Sequence, residues 1–186
     1  MGMVIAAALG VFAWTWVEYV LHRFAGHWAR GRNHFSREHL RHHGTPSYFS
    51  PLPQKVLSAV IVGPAVGAAV GLVLGPGVGV AFGAGFLVGY FAYEWVHWRI
   101  HVAPPRGRWS RWVRLHHLHH HFSDPSANHG VTTDLWDRVF RTHTAVGPVA
   151  VPRKRALPWM TDATGQLRPE LAHDYALTDR GLPRAA

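Results

Sequence analysis

Between Lys55 and Glu94 the chain carries no Asp, Glu, Lys or Arg. That uncharged run is about twice the roughly 20 residues that cross a bilayer as one helix. Gly75-Pro76-Gly77 lies near its middle, where the turn of a helical hairpin belongs. Gly63, Gly67, Gly71 and Gly75 recur every four residues, and Gly85 and Gly89 repeat the spacing. Small residues on one stripe let membrane helices approach closely. A water-soluble core helix carries so much glycine only at a cost. The run therefore predicts two spanning helices packed as a hairpin.

Residues 1–17 are also free of charge, and Glu18 and His22 follow. A cleaved signal peptide needs a basic start and a small-x-small cleavage site, and neither is evident. The stretch predicts a third span ending near Phe24, with Glu18 and His22 close to the interface. The formal charge is +9. A basic chain suits nucleic acid or an anionic membrane surface. Here the basic residues flank the uncharged runs and form no separate stripe, which favours the membrane and argues against nucleic acid. Several of the nine tryptophans stand at the ends of apolar runs, where interfacial aromatics belong.

With three spans, both basic regions fall on one face. The positive-inside rule makes that face cytoplasmic, with the N-terminus outside and the plasma (inner) membrane as the location. A short helix is expected from Ser36 to His43, stopped by Gly44 and Pro46. Trp109, Trp112 and Leu115, mixed with Arg108, Arg111 and Arg114, predict an interfacial helix. Beyond Thr144 the tail predicts loops and short helices on the same side. The expected fold class is all-α. It is an integral-membrane helical bundle of about three spans plus interfacial helices, with a His-rich dimetal site on the cytosolic side. Residues 1–186 form one domain, with its core at about 12–142 and a tail at 144–186.

Sixteen histidines, and no cysteine, set the chemistry. Disulfides, zinc ribbons and iron–sulfur clusters are excluded. Five histidines fall within residues 114–121 alone, and so many rings cannot all find partners in an apolar core. Neutral imidazole is the commonest side-chain metal ligand. Four clusters stand out: His22 with His27; His39, His42 and His43; His97 with His101; His117, His120 and His121. Residues at i, i+3 and i+4 share a helix face, so each HxxHH run can form one stripe, and His97 and His101 pair. Adjacent histidines point about 100° apart, suiting one to each of two metals. His22 and His27 lie roughly 140° apart on an ideal helix. Either they serve different metals or the helix ends between them near Gly26. Ten rings exceed the ligand set of one ion, so two are expected, and imidazoles suit Fe, Zn, Cu or Ni.

Glu18 precedes His22 by four residues and Glu94 precedes His97 by three. Each is placed to accept the far ring N–H of its histidine, fixing the tautomer. Marking helix ends and ligating directly are the other readings. His34, His116, His119, His129, His143 and His173 fall outside the pattern, although His129 follows the fourth cluster on a turn. No GxSxG, Walker loop or GxGxxG is present.

These residues resemble the fatty acid hydroxylase/sterol desaturase superfamily of membrane di-iron oxygenases. Its pattern is HX4H or HX3H, then HXXHH, HX3H and HXXHH, and the four clusters follow that order. The chain is most similar to the fatty acid 2-hydroxylase branch in Glu18-Tyr-Val-Leu-His22-Arg-Phe, His39-Leu-Arg-His42-His43-Gly, His120-His121-Phe122 and the segment Gly130 to Phe140. The likeness covers about residues 12–142. It implies that all ten cluster histidines are metal ligands. One ion would take His22, His39, His42, His117 and His120; the other would take His27, His43, His97, His101 and His121. It further implies two Fe ions, with Zn able to occupy the rings in purified protein, and O2-dependent hydroxylation or desaturation of a lipid. Electrons would come from a separate cytochrome b5-like or ferredoxin-type donor, since no such domain lies within these residues. The reading is a fatty-acyl hydroxylase. The alternatives are a carotenoid or sterol ring hydroxylase or desaturase, and a non-catalytic metal-binding or transport protein. The last would need polar residues within the spans, and the 56–93 hairpin has almost none.

Overall fold

A computed structural model describes residues 1–179. Helix α1 (Gly2–Val20) continues into a π-helical turn (Leu21–Trp28). Then come α2 (His34–Gly44), α3 (Leu52–Leu74), α4 (Pro76–Val102), α5 (Arg108–Phe122) and the short α6 (Leu135–Val139). Strands β1 (Val149–Pro152) and β2 (Tyr175–Thr178) pair in parallel. Three segments are long and apolar enough to cross a membrane: Gly2–Trp28, Leu52–Leu74 and Pro76–Val102. Their outward faces leave Val4, Ile5, Leu72, Val73 and Val80 more than half exposed, as lipid-facing side chains should be.

The hairpin turns where expected. Gly75 has φ +95°, a conformation closed to most residues, and Pro76 opens α4. Glycines on α4 face two ways. A Cβ on Gly83 would sit 3.0 Å from the Gly63 carbonyl oxygen of α3, while Gly85 and Gly89 lie against Ala7 and Trp14 of α1. Both partners thus approach α4 backbone to backbone. Trp14 packs in the α1–α4 seam, with its ring 5.2 Å from Phe86 and 5.0 Å from Tyr90.

Helix α2 starts two residues earlier than Ser36 because Asn33 caps it, its side chain accepting from Ser36 N at 2.6 Å. Arg114 is no headgroup anchor. It is buried, and its guanidinium donates to the carbonyls of Ala103, Ser110 and Arg99, tying α5 to the end of α4. The tail also departs from the expectation of loops and short helices. Val149, Val151, Leu157, Met160, Leu171 and Tyr175 join Val113, Leu118 and Phe122 of α5 in one buried core. Asp174 receives two hydrogen bonds from Arg111, and Trp159 Nε1 donates to the His101 carbonyl at 3.1 Å. Val149 with Val151 and Tyr175 with Leu177 do alternate as strand residues do, but each run is only four residues long and the two are more than twenty residues apart, too little to read from the pattern.

Candidate metal centre

The helix ends carry the histidines to one place. In the turn after α1 the bonding becomes i→i+5, as from Ala29 N to the Phe24 carbonyl at 3.0 Å. The wider turn brings residues five apart onto a common face. His22 and His27 therefore point into the same group, and the helix does not end at Gly26. Gly26 leaves room for the neighbouring ring: a Cβ there would lie 2.8 Å from Cδ2 of His39.

The ten rings form two groups of five. One holds His22, His27, His39, His43 and His120; the other holds His42, His97, His101, His117 and His121. Within each, the nitrogens all lie within 4.8 Å of one another. The i, i+4 pairs stay together: His39 with His43, His97 with His101, His117 with His121. The remaining histidine of each HxxHH run crosses to the other group. This differs from the expected division, in which His42 and His117 stood with His22, and His27 and His43 stood with His97. The reason is geometric. The i, i+4 rings overlie each other on successive turns, whereas the i, i+3 ring is offset to the other side of the stripe.

The donor set fits a first-row ion in each group. His22 Nδ1 donates to the His129 carbonyl at 2.5 Å, His42 Nδ1 to that of Tyr48 at 2.6 Å, and His120 Nδ1 to that of Ala127 at 2.7 Å. Each bond places the proton on Nδ1 and leaves the Nε2 lone pair facing inward. Nε2 of His22 and of His42 is buried with no hydrogen-bond partner among the described residues. Nε2 of His27 stands 2.9 Å from that of His120 and 2.8 Å from that of His39, and Nε2 of His120 is 3.2 Å from that of His43. In the other group the Nε2 atoms of His101 and His117 are 3.1 Å apart. Converging lone pairs repel unless a cation lies between them. Nitrogens about 2.0–2.1 Å from a metal and at right angles would be about 2.9 Å apart. Burial pushes His39, His43, His117, His120 and His121 well below the usual imidazole range, the surrounding rings add to this, and burial takes His42 down to about 4. The rings are thus held neutral, the form that binds metal.

The two carboxylates do not fill their expected places. Glu18 does not accept from His22; its oxygens take Val131 N at 2.5 Å, Thr132 N at 2.9 Å and the Thr132 hydroxyl at 2.8 Å. Glu94 pairs with Lys55 at 2.5 Å and leaves His97 alone. A stretch of loop intervenes in the first case. His22, one turn beyond Glu18, already has a carbonyl acceptor from that loop, so Glu18 supports it one step removed.

Asp137 does the same from the other side, and the motif reading assigned it no role. It accepts from the backbone N–H groups of His129 and Gly130 at 2.8 Å each and from the Thr142 hydroxyl at 2.7 Å. It also faces the buried His116 ring at 3.3 Å. Burial opposes its ionisation, but hydrogen bonds from His116, Thr142 and Gly130 outweigh that and hold its carboxyl below the usual carboxylate range. The His129 ring packs 5.1 Å from that of His120 and 5.5 Å from that of His22, at the edge of the first group. Gly130 lets the loop close on this carboxylate: a Cβ there would run into the Thr133 carbonyl oxygen and then meet Asp137 Oδ2 at 2.9 Å.

A cavity of about 400 Å³ opens between α1, α2, α3 and α4. Its wall runs from His22 and His39 past Lys55 and Glu94 to Ala59, Val62, Phe86 and Leu87.

Span-length helices whose ends converge on two histidine groups define an integral membrane protein with a site for metal ions. The chain belongs to the fatty acid hydroxylase family, whose model matches residues 7–142. Mouse fatty acid 2-hydroxylase is 34% identical over 153 residues, covering 78% of this chain and 40% of that protein. The dihydroceramide fatty acyl 2-hydroxylase of Arabidopsis thaliana is 30% identical over 141 residues, 73% of this chain and 59% of that one. A solved structure of full-length scs7p, in which only the hydroxylase domain is visible, superposes with a TM-score of 0.65 at 28% identity, covering 77% of this chain and 56% of that chain. The chain spans about 40% of the length of mouse fatty acid 2-hydroxylase and of other curated relatives.

Proposed function

We propose that the chain hydroxylates the acyl chain of a lipid at the expense of O2, with two iron ions held by the ten histidines. The observation that carries this is the cavity, apolar along Ala59, Val62, Phe86 and Leu87 and walled at its other end by His22 and His39. An acyl chain laid in it would bring a C–H bond to the first histidine group. Relatives named for fatty-acyl hydroxylation favour an acyl chain over a sterol or carotenoid ring.

The overall change is R–H + O2 + 2 electrons + 2 protons → R–OH + H2O. Bound iron would supply the reduction of O2 and the transfer of one oxygen atom to carbon. The chain supplies the rest. The carbonyls of Ala127, His129 and Tyr48 fix three rings with Nε2 inward. Glu18 and Asp137 hold the loop that bears two of those carbonyls. The apolar wall excludes water and aligns the substrate. The two electrons come from a separate cytochrome b5-like or ferredoxin-type donor, and the site faces the cytoplasm at the inner membrane, where the basic segments flank it.

The test is lipid profiling of cells that express the chain with added iron, alongside His42→Ala and His120→Ala. Hydroxylated acyl lipids are expected with the wild type and neither variant. Full activity in either variant overturns the site assignment.

A further inference from the structure

We propose that the Lys55–Glu94 ion pair holds the head of the acyl substrate, with Lys55 donating to its carbonyl oxygen, and so sets which carbon stands before the histidines. This rests on the hydroxylase reading above.

Lys55, in the first turn of α3, and Glu94, near the end of α4, both line the cavity. Their side chains are about four-fifths buried. A buried ion pair is weak evidence for stability, because desolvation offsets the attraction. Its placement here gives it other work. Among the described residues Lys55 is the cavity's only lysine or arginine. The other carboxylates on that wall are engaged elsewhere: Glu18 with the 131–132 backbone, and Glu38 with the Tyr48 hydroxyl. An ammonium has three N–H donors, and the only hydrogen-bond acceptor for Lys55 among the described residues is Glu94. Two donors remain for a ligand.

The position along the cavity fixes what they would meet. On one side lie Ala59, Val62, Phe86 and Leu87, a bed for an acyl tail. On the other, Nζ of Lys55 is 5.5 Å from the centre of the Phe49 ring. The same ring also neighbours His42 at 5.3 Å, His101 at 5.7 Å and His97 at 5.9 Å. His22 and His39 share the cavity directly. A carbonyl bound to Lys55 would therefore keep the carbons beside it near both histidine groups and send the far end of the tail away from them. Oxidation close to the head follows from that placement.

A carbonyl oxygen is common to a free fatty acid and to an N-acyl amide. Glu94 separates the two. Its charge opposes a carboxylate and accepts a hydrogen bond from an amide N–H.

The experiment uses the full chain, iron-loaded, in nanodiscs, with palmitate and N-methylpalmitamide as probes of binding and turnover. Lys55→Met should weaken one probe or both by about tenfold or more, the worth of one charge-assisted hydrogen bond. It should also convert hydroxylation at one carbon into a spread of positions, with metal content unchanged. Lys55→Arg keeps a donor and should retain binding. Glu94→Gln should tighten palmitate if the head is a free acid, or weaken the amide if it is an amide. The charge-swapped pair Lys55→Glu with Glu94→Lys restores the tie between α3 and α4. If it also restores hydroxylation at the wild-type carbon, although the ammonium now stands on α4, the pair is a structural tie and the proposal falls. Unchanged binding and an unchanged product position in Lys55→Met overturn it as well. If the wild type makes no hydroxylated lipid yet binds a probe through Lys55, the head-binding role stands and the reaction assigned above fails.

Discussion

The rings of His43 and His121 lie face to face, 4.0 Å between centroids and 1° between planes, although one comes from α2 and the other from α5. They belong to different histidine groups. The stacked pair is the wall between the two sites, and the rings on either side of it can be tested separately.

His43→Ala should remove one metal per chain by taking a donor from the first group, and His42→Ala should remove the other. Combining them should leave the protein almost metal-free. Elemental analysis of the membrane-extracted chain, grown with added iron, reads this directly. Equal loss of both metals in each single variant would show that the groups do not hold separate ions.

Glu18→Gln keeps the shape of the side chain but turns one acceptor oxygen into an N–H₂ donor. The backbone N–H groups of Val131 and Thr132 share one oxygen and can keep it, but the Thr132 hydroxyl loses the acceptor it donates to, and a buried group left unpaired costs about 1–3 kcal/mol. The thermal midpoint should fall. Metal affinity should fall by about 10- to 100-fold, as for other residues that orient ligands. A variant with wild-type affinity would show that the loop holds His22 without Glu18.

Asp137 gives a pH dependence of definite sign. Its carboxyl is held below the usual range, so it stabilises the fold fully above the unfolded value of about 4 and loses that contribution as the pH falls through its lower folded value. Asp137→Asn should therefore be less stable than the wild type at pH 7, and the difference should shrink in acid. Thermal midpoints of both proteins from pH 7 to pH 3 measure it. A gap that stays constant would remove the charge of Asp137 from the explanation.

Gly26→Ala should displace the His39 ring, since the new Cβ would lie 2.8 Å from it. Loss of one metal with the other kept is the expected result. Gly44→Ala is the control, because a Cβ there meets nothing within 4 Å.

Much of this was legible in the sequence. The lack of charge between Lys55 and Glu94 reports a hairpin because charge is what hydrocarbon excludes, and Gly75 turns it as read. The HxxHH spacing is an angle along one helix, so it reports that adjacent rings diverge: His42 from His43, and His120 from His121. It cannot report which rings of α2 and α5 meet, because that depends on how separate helices cross. The π-helical turn escaped for a related reason. The 140° between His22 and His27 assumed α-helical bonding, and only packing against His39 and Ser36, whose hydroxyl donates to the Gly26 carbonyl at 2.6 Å, accounts for the wider turn. Glu18 was placed near His22, but the groups that donate to it lie more than a hundred residues away, beyond the reach of local pattern.

The exchange of histidines between groups has a thermodynamic consequence. Helices α2 and α5 each give rings to both sites, so an ion entering either one orders both helices. The second ion then meets rings whose conformational entropy is already lost and binds more tightly than the first, a positive coupling shared by the two sites. A preparation given half its metal should hold fewer singly loaded molecules than two independent sites would give.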